Sequence, residues 1–202
     1  SATLGAYIPN PTGSELTTPV LLPQGLTTGR DITGVNLFEN VRKQGALNLD
    51  GSSWAEVHDN ASVDISPAMT MECWVDCDQI TTSSHEFFIV KPAVSTWSTP
   101  YARYAFRANN SNVQWWFENL TEMGQYNIAL SGWNHLMVTK NGTSEILYIN
   151  GLQVATNTGS ATITASQYDL LLGQAQIGIA PLSSQIAQPR IYNRALTAEE
   201  VQ

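Results

Sequence analysis

The sequence predicts an all-β protein, either a sandwich or a barrel, from three observations. In Met69–Cys77 every second residue is methionine, cysteine or valine, which is the period of a half-buried strand. Two Asn-Gly pairs, at 141–142 and 150–151, each separate β-rich runs, and this dipeptide accepts the positive φ angles of a tight hairpin turn. Charged residues make up only 13% of the 202 residues, which argues against a coiled coil, because coiled coils are rich in Glu, Lys and Arg.

The first 44 residues differ from the rest of the chain. Four prolines and five glycines are spread through residues 5–34, a spacing that no helix and few strands tolerate. We therefore predict an extended arm or a loop-rich layer over residues 1–44, followed by the main domain over residues 45–202. The arm carries too many apolar residues for a pure linker, so it is expected to lie on its own domain or on a neighbouring subunit.

From residue 45 onward the pattern is one of short strands separated by turns. Cys73 and Cys77 would lie ~13 Å apart along a strand, too far for a disulfide, and both are predicted to be buried core residues. Thr197 and Glu200 have the spacing of a capping box, which predicts a short C-terminal helix. The other strands are predicted at residues 86–91, 103–108, 113–118, 135–140, 145–149, 152–155, 168–172 and 185–192.

Three stretches carry a resemblance to a known family: residues 46–57 with 69–75, residues 133–139 leading into 147–154, and residues 186–200. The last reads Ile-Ala-Gln-Pro-Arg-Ile-Tyr-Asn-Arg-Ala-Leu-Thr-Ala-Glu-Glu. In this order and spacing they resemble the laminin-G-like jelly roll of the concanavalin A-like lectin/glucanase superfamily, over residues 45–202. The resemblance implies a two-sheet antiparallel jelly-roll sandwich that binds through loops at one rim. Members bind sugars or other proteins and some carry Ca²⁺, so the fold alone does not give the function.

The same superfamily includes glucanases, whose paired carboxylates resemble Glu-x-Asp-x-x-Glu on one strand. Here the acid-rich strand reads Glu72-Cys-Trp-Val-Asp76-Cys-Asp78. Glu72 and Asp76 would lie ~13 Å apart by strand rise, too far for either glycosidase mechanism. We therefore predict no enzymatic activity and no cofactor, with Ca²⁺ left open.

Four residues are candidate calcium ligands. Asp50, Asp59, Asn60 and Asp64 fall in loops near the first resembling strands, and oxygen ligands from such loops can assemble a Ca²⁺ site. The alternative is that they are turn residues bonded to their own backbone. Ala187 stands where the family often has Asp, which removes one familiar acidic position.

Aromatic side chains are the other candidate binding residues. Trp97 and Tyr101 lie in the polar run Ser-Thr-Trp-Ser-Thr-Pro-Tyr, and an exposed aromatic ring with polar neighbours suits stacking on a sugar or a protein contact. Trp115 and Trp116 are adjacent in a predicted strand, so their side chains should face opposite ways. One belongs to the core. Trp116 is then either a ligand contact or part of a second packed layer.

Charge excludes two classes of partner. The net charge is −8, from 9 basic and 17 acidic residues, and no basic run is longer than Arg42-Lys43, so nucleic-acid phosphates would find no basic stripe. An acidic surface repels anionic lipid, and no apolar stretch approaches the ~20 residues of a membrane helix. The first basic residue is Arg30, so the start lacks the charged segment of a signal peptide.

Two functions from different classes remain. The first is a non-catalytic structural or decoration protein of a tailed-bacteriophage virion, because stand-alone chains with this layout resemble such proteins. The arm would then contact neighbouring virion subunits, and the protein is expected to be a homo-oligomer. The jelly roll would serve assembly or host-surface contact at the virion surface. The alternative is a lectin-like, carbohydrate-binding module of a bacterial surface or extracellular protein, with Trp97 and Tyr101 presented on rim loops.

Overall fold

The computed structural model describes residues 45–80, 85–96, 98–109, 112–118, 120–176 and 179–201. The predicted arm, residues 1–44, lies outside the described residues, and so does Trp97. Single-turn 3₁₀ helices occur at Ala61–Val63, Cys77–Gln79 and Leu120–Glu122. The strands are β1 (Ala46–Asp50), β2 (Ala55–Val57), β3 (Ala68–Asp76), β4 (His85–Pro92), β5 (Ala102–Asn109), β6 (Asn112–Phe117), β7 (Gly124–Asn127), β8 (Trp133–Asn141), β9 (Ser144–Ile149), β10 (Leu152–Thr158), β11 (Leu170–Leu172) and β12 (Ser183–Tyr192).

These strands form two six-stranded sheets. Sheet A has the order β1-β12-β3-β8-β9-β10, and sheet B has the order β2-β11-β4-β5-β6-β7. The pairings of β3 with β8 and β12, and of β4 with β5 and β11, are all antiparallel. The prediction of an all-β, two-sheet antiparallel fold is therefore confirmed, and the arrangement agrees with a jelly-roll sandwich.

The core lies between the two sheets, where period-2 alternation places one apolar face of each strand. The buried inward residues of sheet A include Met69, Met71, Cys73, Val75, Leu136, Val138, Leu147 and Ile149. Both cysteines are free and buried, as predicted, although Cys77 begins a 3₁₀ turn rather than continuing the strand. Burial raises the pKa of the Cys77 thiol to about 12, so this thiol is protonated and unreactive near neutral pH.

Both Asn-Gly hairpins are present, but only one turn is centred on its Asn-Gly pair. Asn150 and Gly151 have φ angles of 52° and 80°, the positive values expected of both central residues of a type I′ turn. At the other hairpin Asn141 pairs with Ser144, so the two central residues are Gly142 and Thr143. Because of the pairing register of β8 with β9, this turn is centred one residue further along the chain than its Asn-Gly pair.

The predicted C-terminal helix is not observed, which corrects that prediction. Residues 198–200 form a turn, with one backbone hydrogen bond from Glu200 N to Thr197 O, 3.0 Å long. The side chain of Glu200 does accept from Thr197 N at 3.0 Å, which is half of the expected capping box. After the turn, Val201 is buried against Leu196 and the outer face of sheet A. This packing brings the chain back onto the sheet, where a continuing helix would lead it away.

A buried tryptophan links the two sheets. Trp115 on β6 donates from Nε1 to Glu145 Oε2 on β9 across 2.9 Å, and Asn157 Nδ2 donates to the same oxygen at 2.8 Å. Burial raises the pKa of Glu145. The indole ring lies against the backbone of Gly124, where an added Cβ would stand 2.2 Å from the ring.

Replacing Gly124 with alanine is expected to lower the free energy of unfolding by about 2 kcal/mol, because the fully buried Trp115 ring has to move. Urea denaturation of the variant measures this loss. Gly45→Ala is the matched control, since no atom of the described residues lies within 4 Å of a Cβ added there. Equal midpoints for the two variants would contradict the packing argument.

Candidate functional site

An open pocket lies at one end of sheet B, and its lining surface is more apolar than polar. Its volume is about 570 Å³, within the size range of small-molecule sites. Three loop segments and three strand residues converge on it, and together they supply carboxylates, hydroxyls, amides, one phenol ring and apolar side chains. The lining residues are Glu56, Pro92, Ser95, Thr96, Gln167, Tyr168, Asp169, Leu171, Gln176 and Ile179.

The pocket walls are held by hydrogen bonds at their bases. The loop that carries Ser95 and Thr96 is closed by Ala93 N donating to Tyr101 O at 2.9 Å. The amide of Gln176 donates from Nε2 to Val94 O at 3.0 Å, which joins this loop to the opposite wall. These hydrogen bonds therefore tie two of the pocket walls together.

An exposed tryptophan lies beside the pocket. Trp54 precedes β2, and 39% of its surface is exposed. Its indole Nε1 donates to Glu56 Oε2 over 3.4 Å, and Glu56 is one of the two lining carboxylates. Tryptophan is one of the residue types enriched at binding hot spots, together with Tyr and Arg.

The two lining carboxylates have different environments. Asp169 accepts from the backbone N of Asp59 at 2.8 Å and bonds His58 Nδ1 at 3.1 Å. These two hydrogen bonds lower the pKa of Asp169, and the same bond to Asp169 raises the pKa of His58. Glu56 is exposed and bonds Trp54.

Glu56, His58 and Asp169 offer ligand atoms that all lie within 4.8 Å of one another. A divalent cation bound there would have to replace the existing hydrogen bond between His58 and Asp169.

A buried lysine supports the pocket from below. Lys91 on β4 has no exposed surface, and its ammonium donates to Asp59 Oδ1 and, at 2.6 Å, to Tyr168 O. Asp64 Oδ1 lies 3.7 Å from the same nitrogen. Lys91 thus lies among two carboxylates and a backbone carbonyl. Its hydrogen bond to Tyr168 O positions the segment that carries Tyr168 and Asp169.

The four predicted calcium ligands do not converge on one point. Asp59 and Asp64 share the Lys91 ammonium, and Asn60 Oδ1 accepts from Ser62 N at 3.0 Å as the cap of a 3₁₀ turn. Asp50 accepts from the hydroxyls of Ser53 and Ser52, both at 2.8 Å, and from their backbone N groups at 2.9 and 3.0 Å, and these contacts lower its pKa. Calcium binding by these residues stays a prediction, while the observed contacts of Asp50 and Asn60 are those of the turn alternative.

The predicted aromatic contacts lie in different places. Trp97 is outside the described residues, although its neighbours Ser95 and Thr96 line the pocket. Tyr101 is half-buried at the base of the same loop, with a φ of 66°. Trp115 and Trp116 face opposite ways, as predicted, and both are fully buried. The Trp116 ring packs on Phe87 at 5.9 Å with Arg107 5.1 Å above it, which favours the packing alternative.

A second polar cluster lies on the outer face of sheet A. Glu72 accepts from Arg190 Nη1 and from Tyr192 Oη, both at 2.7 Å, and bonds His135 Nε2 at 2.9 Å. Burial alone would raise the pKa of Glu72, but these hydrogen bonds lower it to about 2. The ring of His135 lies 5.1 Å from that of Trp74. With both of its oxygens occupied, Glu72 acts as the centre of a cross-strand network.

Sequence reasoning missed the residues around which the pocket is organised: Trp54, Glu56, His58, Lys91, Tyr168 and Asp169. One signal was present, because Trp54 and Glu56 are two apart in a short β-rich stretch and so share a face. No comparable signal marks Tyr168 and Asp169, which reach the pocket from about 110 residues further along the chain.

A family model described as the concanavalin A-like lectin/glucanases superfamily, of the laminin G type, matches residues 49–202. The chain belongs to this superfamily. A comparison with curated protein sequences gave no match.

Solved structures of this superfamily fold agree with that assignment. The CBM40 module of the Ruminococcus gnavus IT-sialidase, bound to α2,3-sialyllactose, has a TM-score of 0.63 at 15% identity and covers 78% of this chain and 94% of its own. The botulinum neurotoxin serotype G binding domain has a TM-score of 0.59 at 14% identity, over 77% of this chain and 40% of its own. The receptor-binding domain of botulinum neurotoxin D has a TM-score of 0.57 at 14% identity, and this chain spans 42% of its length.

At these identities the likeness shows the fold alone. Within the described ranges, none of the helices is both long and apolar enough to cross a bilayer. Laminin-G-like folds are usually binding domains without catalysis, and the absence of enzymatic activity stays a prediction for this chain.

Proposed function

We propose that this domain is a non-catalytic, lectin-like module that binds a saccharide in the pocket beside Trp54. The single observation that carries the proposal is the exposed Trp54 indole, hydrogen-bonded to a carboxylate that lines the pocket. The superfamily assignment and the sialyllactose-bound module of similar fold support the same class of ligand.

The residue types in the pocket suit a sugar ring. A sugar has an apolar face of C–H groups and a rim of hydroxyls, so it needs an aromatic surface together with several hydrogen-bonding groups. Trp54 and Tyr168 supply the rings, and Glu56 and Asp169 supply acceptors for hydroxyl donors. Hydrogen bonds to an ionised acceptor are about twice as strong as neutral ones.

Replacing Trp54 with alanine is expected to weaken saccharide binding about 10- to 30-fold, or ~1.4–2 kcal/mol, because the stacking surface is removed. A glycan array identifies a bound sugar, and titration calorimetry then compares the affinities. Leu152→Ala is the matched control. Leu152 is 70% exposed and begins β10 of sheet A, away from the pocket.

Two results would contradict the proposal. One is a wild-type protein that binds nothing on the array, and the other is a Trp54→Ala variant that binds as well as the Leu152→Ala variant. Analysis of the bound sugar for cleavage products checks the prediction that the domain has no hydrolytic activity.

A saccharide-binding module of this kind would act outside the cell, either on a secreted or surface protein or on a virion. The tailed-phage assignment, the contacts of the arm with neighbouring subunits and the homo-oligomeric state stay predictions from the sequence. Removal of residues 1–44 followed by a particle-assembly assay addresses them directly.

A further inference from the structure

We infer that the pocket beside Trp54 selects neutral saccharides and discriminates against saccharides that carry a carboxylate, such as sialylated glycans. This inference rests on the proposed saccharide-binding function and specifies the ligand class of the same site. It sets this pocket apart from the similarly folded module that was solved with sialyllactose.

The charged groups that line the pocket are both acidic. Among the described lining residues, Glu56 and Asp169 are the only two with a charged side chain at neutral pH. No Lys or Arg is among these lining residues. One carboxylate oxygen of Glu56 and one of Asp169 lie within 4.8 Å of each other. A carboxylate on the ligand would therefore meet two like charges at short range.

Two basic residues beside the pocket, Lys91 and His58, already interact with protein carboxylates. Lys91 lies below the pocket with no exposed surface, and it donates to Asp59 and to the carbonyl of Tyr168. His58 bonds Asp169 through Nδ1, so its charge, when present, is balanced by that residue. Among the pocket-lining residues that the structure describes, a ligand anion would find neither an ammonium nor the forked guanidinium that usually binds a carboxylate.

A neutral sugar meets the opposite situation. Its hydroxyl groups are donors, and the Glu56 and Asp169 oxygens are acceptors of fixed position. The hydroxyls of Ser95 and Thr96 and the amide of Gln167 add groups that both donate and accept. The same pocket atoms that repel a carboxylate thus stabilise a neutral, hydroxyl-rich ligand.

The test compares matched glycan pairs that share a neutral core and differ only in a terminal sialic acid, on an array and then by calorimetry. The wild-type protein is expected to bind the neutral member at least about 10-fold more tightly at low salt. Higher salt should narrow this ratio, because the repulsion acts at a solvent-exposed site.

Glu56→Gln tests the cause, because it removes one negative charge and keeps an acceptor oxygen of the same reach. This variant should reduce the ratio of neutral to sialylated affinity about 3-fold or more. Glu199→Gln is the matched control, since it makes the same change of net charge at an exposed residue in the C-terminal turn of the sheet A side.

The outcomes separate the two proposals. Sialylated glycans that bind as tightly as their neutral partners, or a ratio that Glu56→Gln leaves unchanged, would overturn the charge selectivity and leave saccharide binding standing. A protein that binds no glycan would overturn the proposed function, and the selectivity with it.

Discussion

Replacing Lys91 with methionine is expected to lower the free energy of unfolding by about 3 kcal/mol. The ammonium of Lys91 is fully buried and contacts Asp59, Asp64 and the carbonyl of Tyr168. Its removal leaves two carboxylates facing each other without a counter-charge. The aspartates are partly exposed, at 31% and 21% of their side-chain surface, so water relieves part of the repulsion. Chemical denaturation at neutral pH measures the loss.

The same variant distinguishes a counter-charge role from simple packing. Ca²⁺ prefers carboxylate and carbonyl oxygens, so it is expected to raise the melting temperature of Lys91→Met and to leave the wild type unchanged. Adding Asp59→Asn and Asp64→Asn to Lys91→Met removes the unbalanced charges and should recover most of the lost stability. A wild-type protein that Ca²⁺ stabilises would instead favour the calcium site predicted from the sequence.

Replacing Glu72 with glutamine is expected to cost about 2–3 kcal/mol at neutral pH, because Arg190, Tyr192 and His135 lose an ionised acceptor. The folded protein lowers the pKa of Glu72 from 4.5 to about 2. A lowered folded-state pKa stabilises the protein above pH 4.5, and this contribution of ~3 kcal/mol is lost as the pH falls from 4.5 to 2.

The pH dependence therefore identifies the residue. Between pH 4.5 and 2 the unfolding free energy of the wild type should fall more steeply than that of Glu72→Gln, and the two curves should converge near pH 2. Glu200→Gln is a control, because hydrogen bonds from Arg194 and Thr197 also lower the pKa of this carboxyl to about 2. The side chain of Glu200 is solvent-exposed, so its ion pair should contribute little to stability. Parallel curves for wild type and Glu72→Gln would contradict the network.

Much of the fold could be predicted from local patterns. The alternation in β3 predicted which residues face the core, and the Asn150-Gly151 pair predicted its turn, because both depend on residues only a few positions apart. The Asn141-Gly142 turn shows the limit of such patterns. Its centre moved by one residue, because the register of β8 with β9 is set by core packing along both strands.

The site could be predicted only in part. Ser95 and Thr96 belong to the loop that the sequence marked through Trp97 and Tyr101, and they do line the pocket. Trp116 is the same residue type as Trp54, and the sequence left Trp116 either as a ligand contact or as part of a second packed layer. Burial distinguishes them, because Trp116 packs on Phe87 and Arg107 whereas Trp54 remains exposed.

The sequence by itself determined the class of this protein: an all-β sandwich of the concanavalin A-like type, acidic, with two free core cysteines and no glucanase motif. The resemblance of three stretches implied the concanavalin A-like sandwich, whereas the all-β class, the acidic charge and the core cysteines follow from composition, from a two-residue period and from turn chemistry, which are local. The tertiary structure decided the position of the pocket, the counter-charge for Asp59 and Asp64, and the partners of Glu72. The ion pairs of Lys91 and the partners of Glu72 join residues 27 to 120 positions apart. Such pairs form only when strand order and register bring their charges together in a partly dehydrated place.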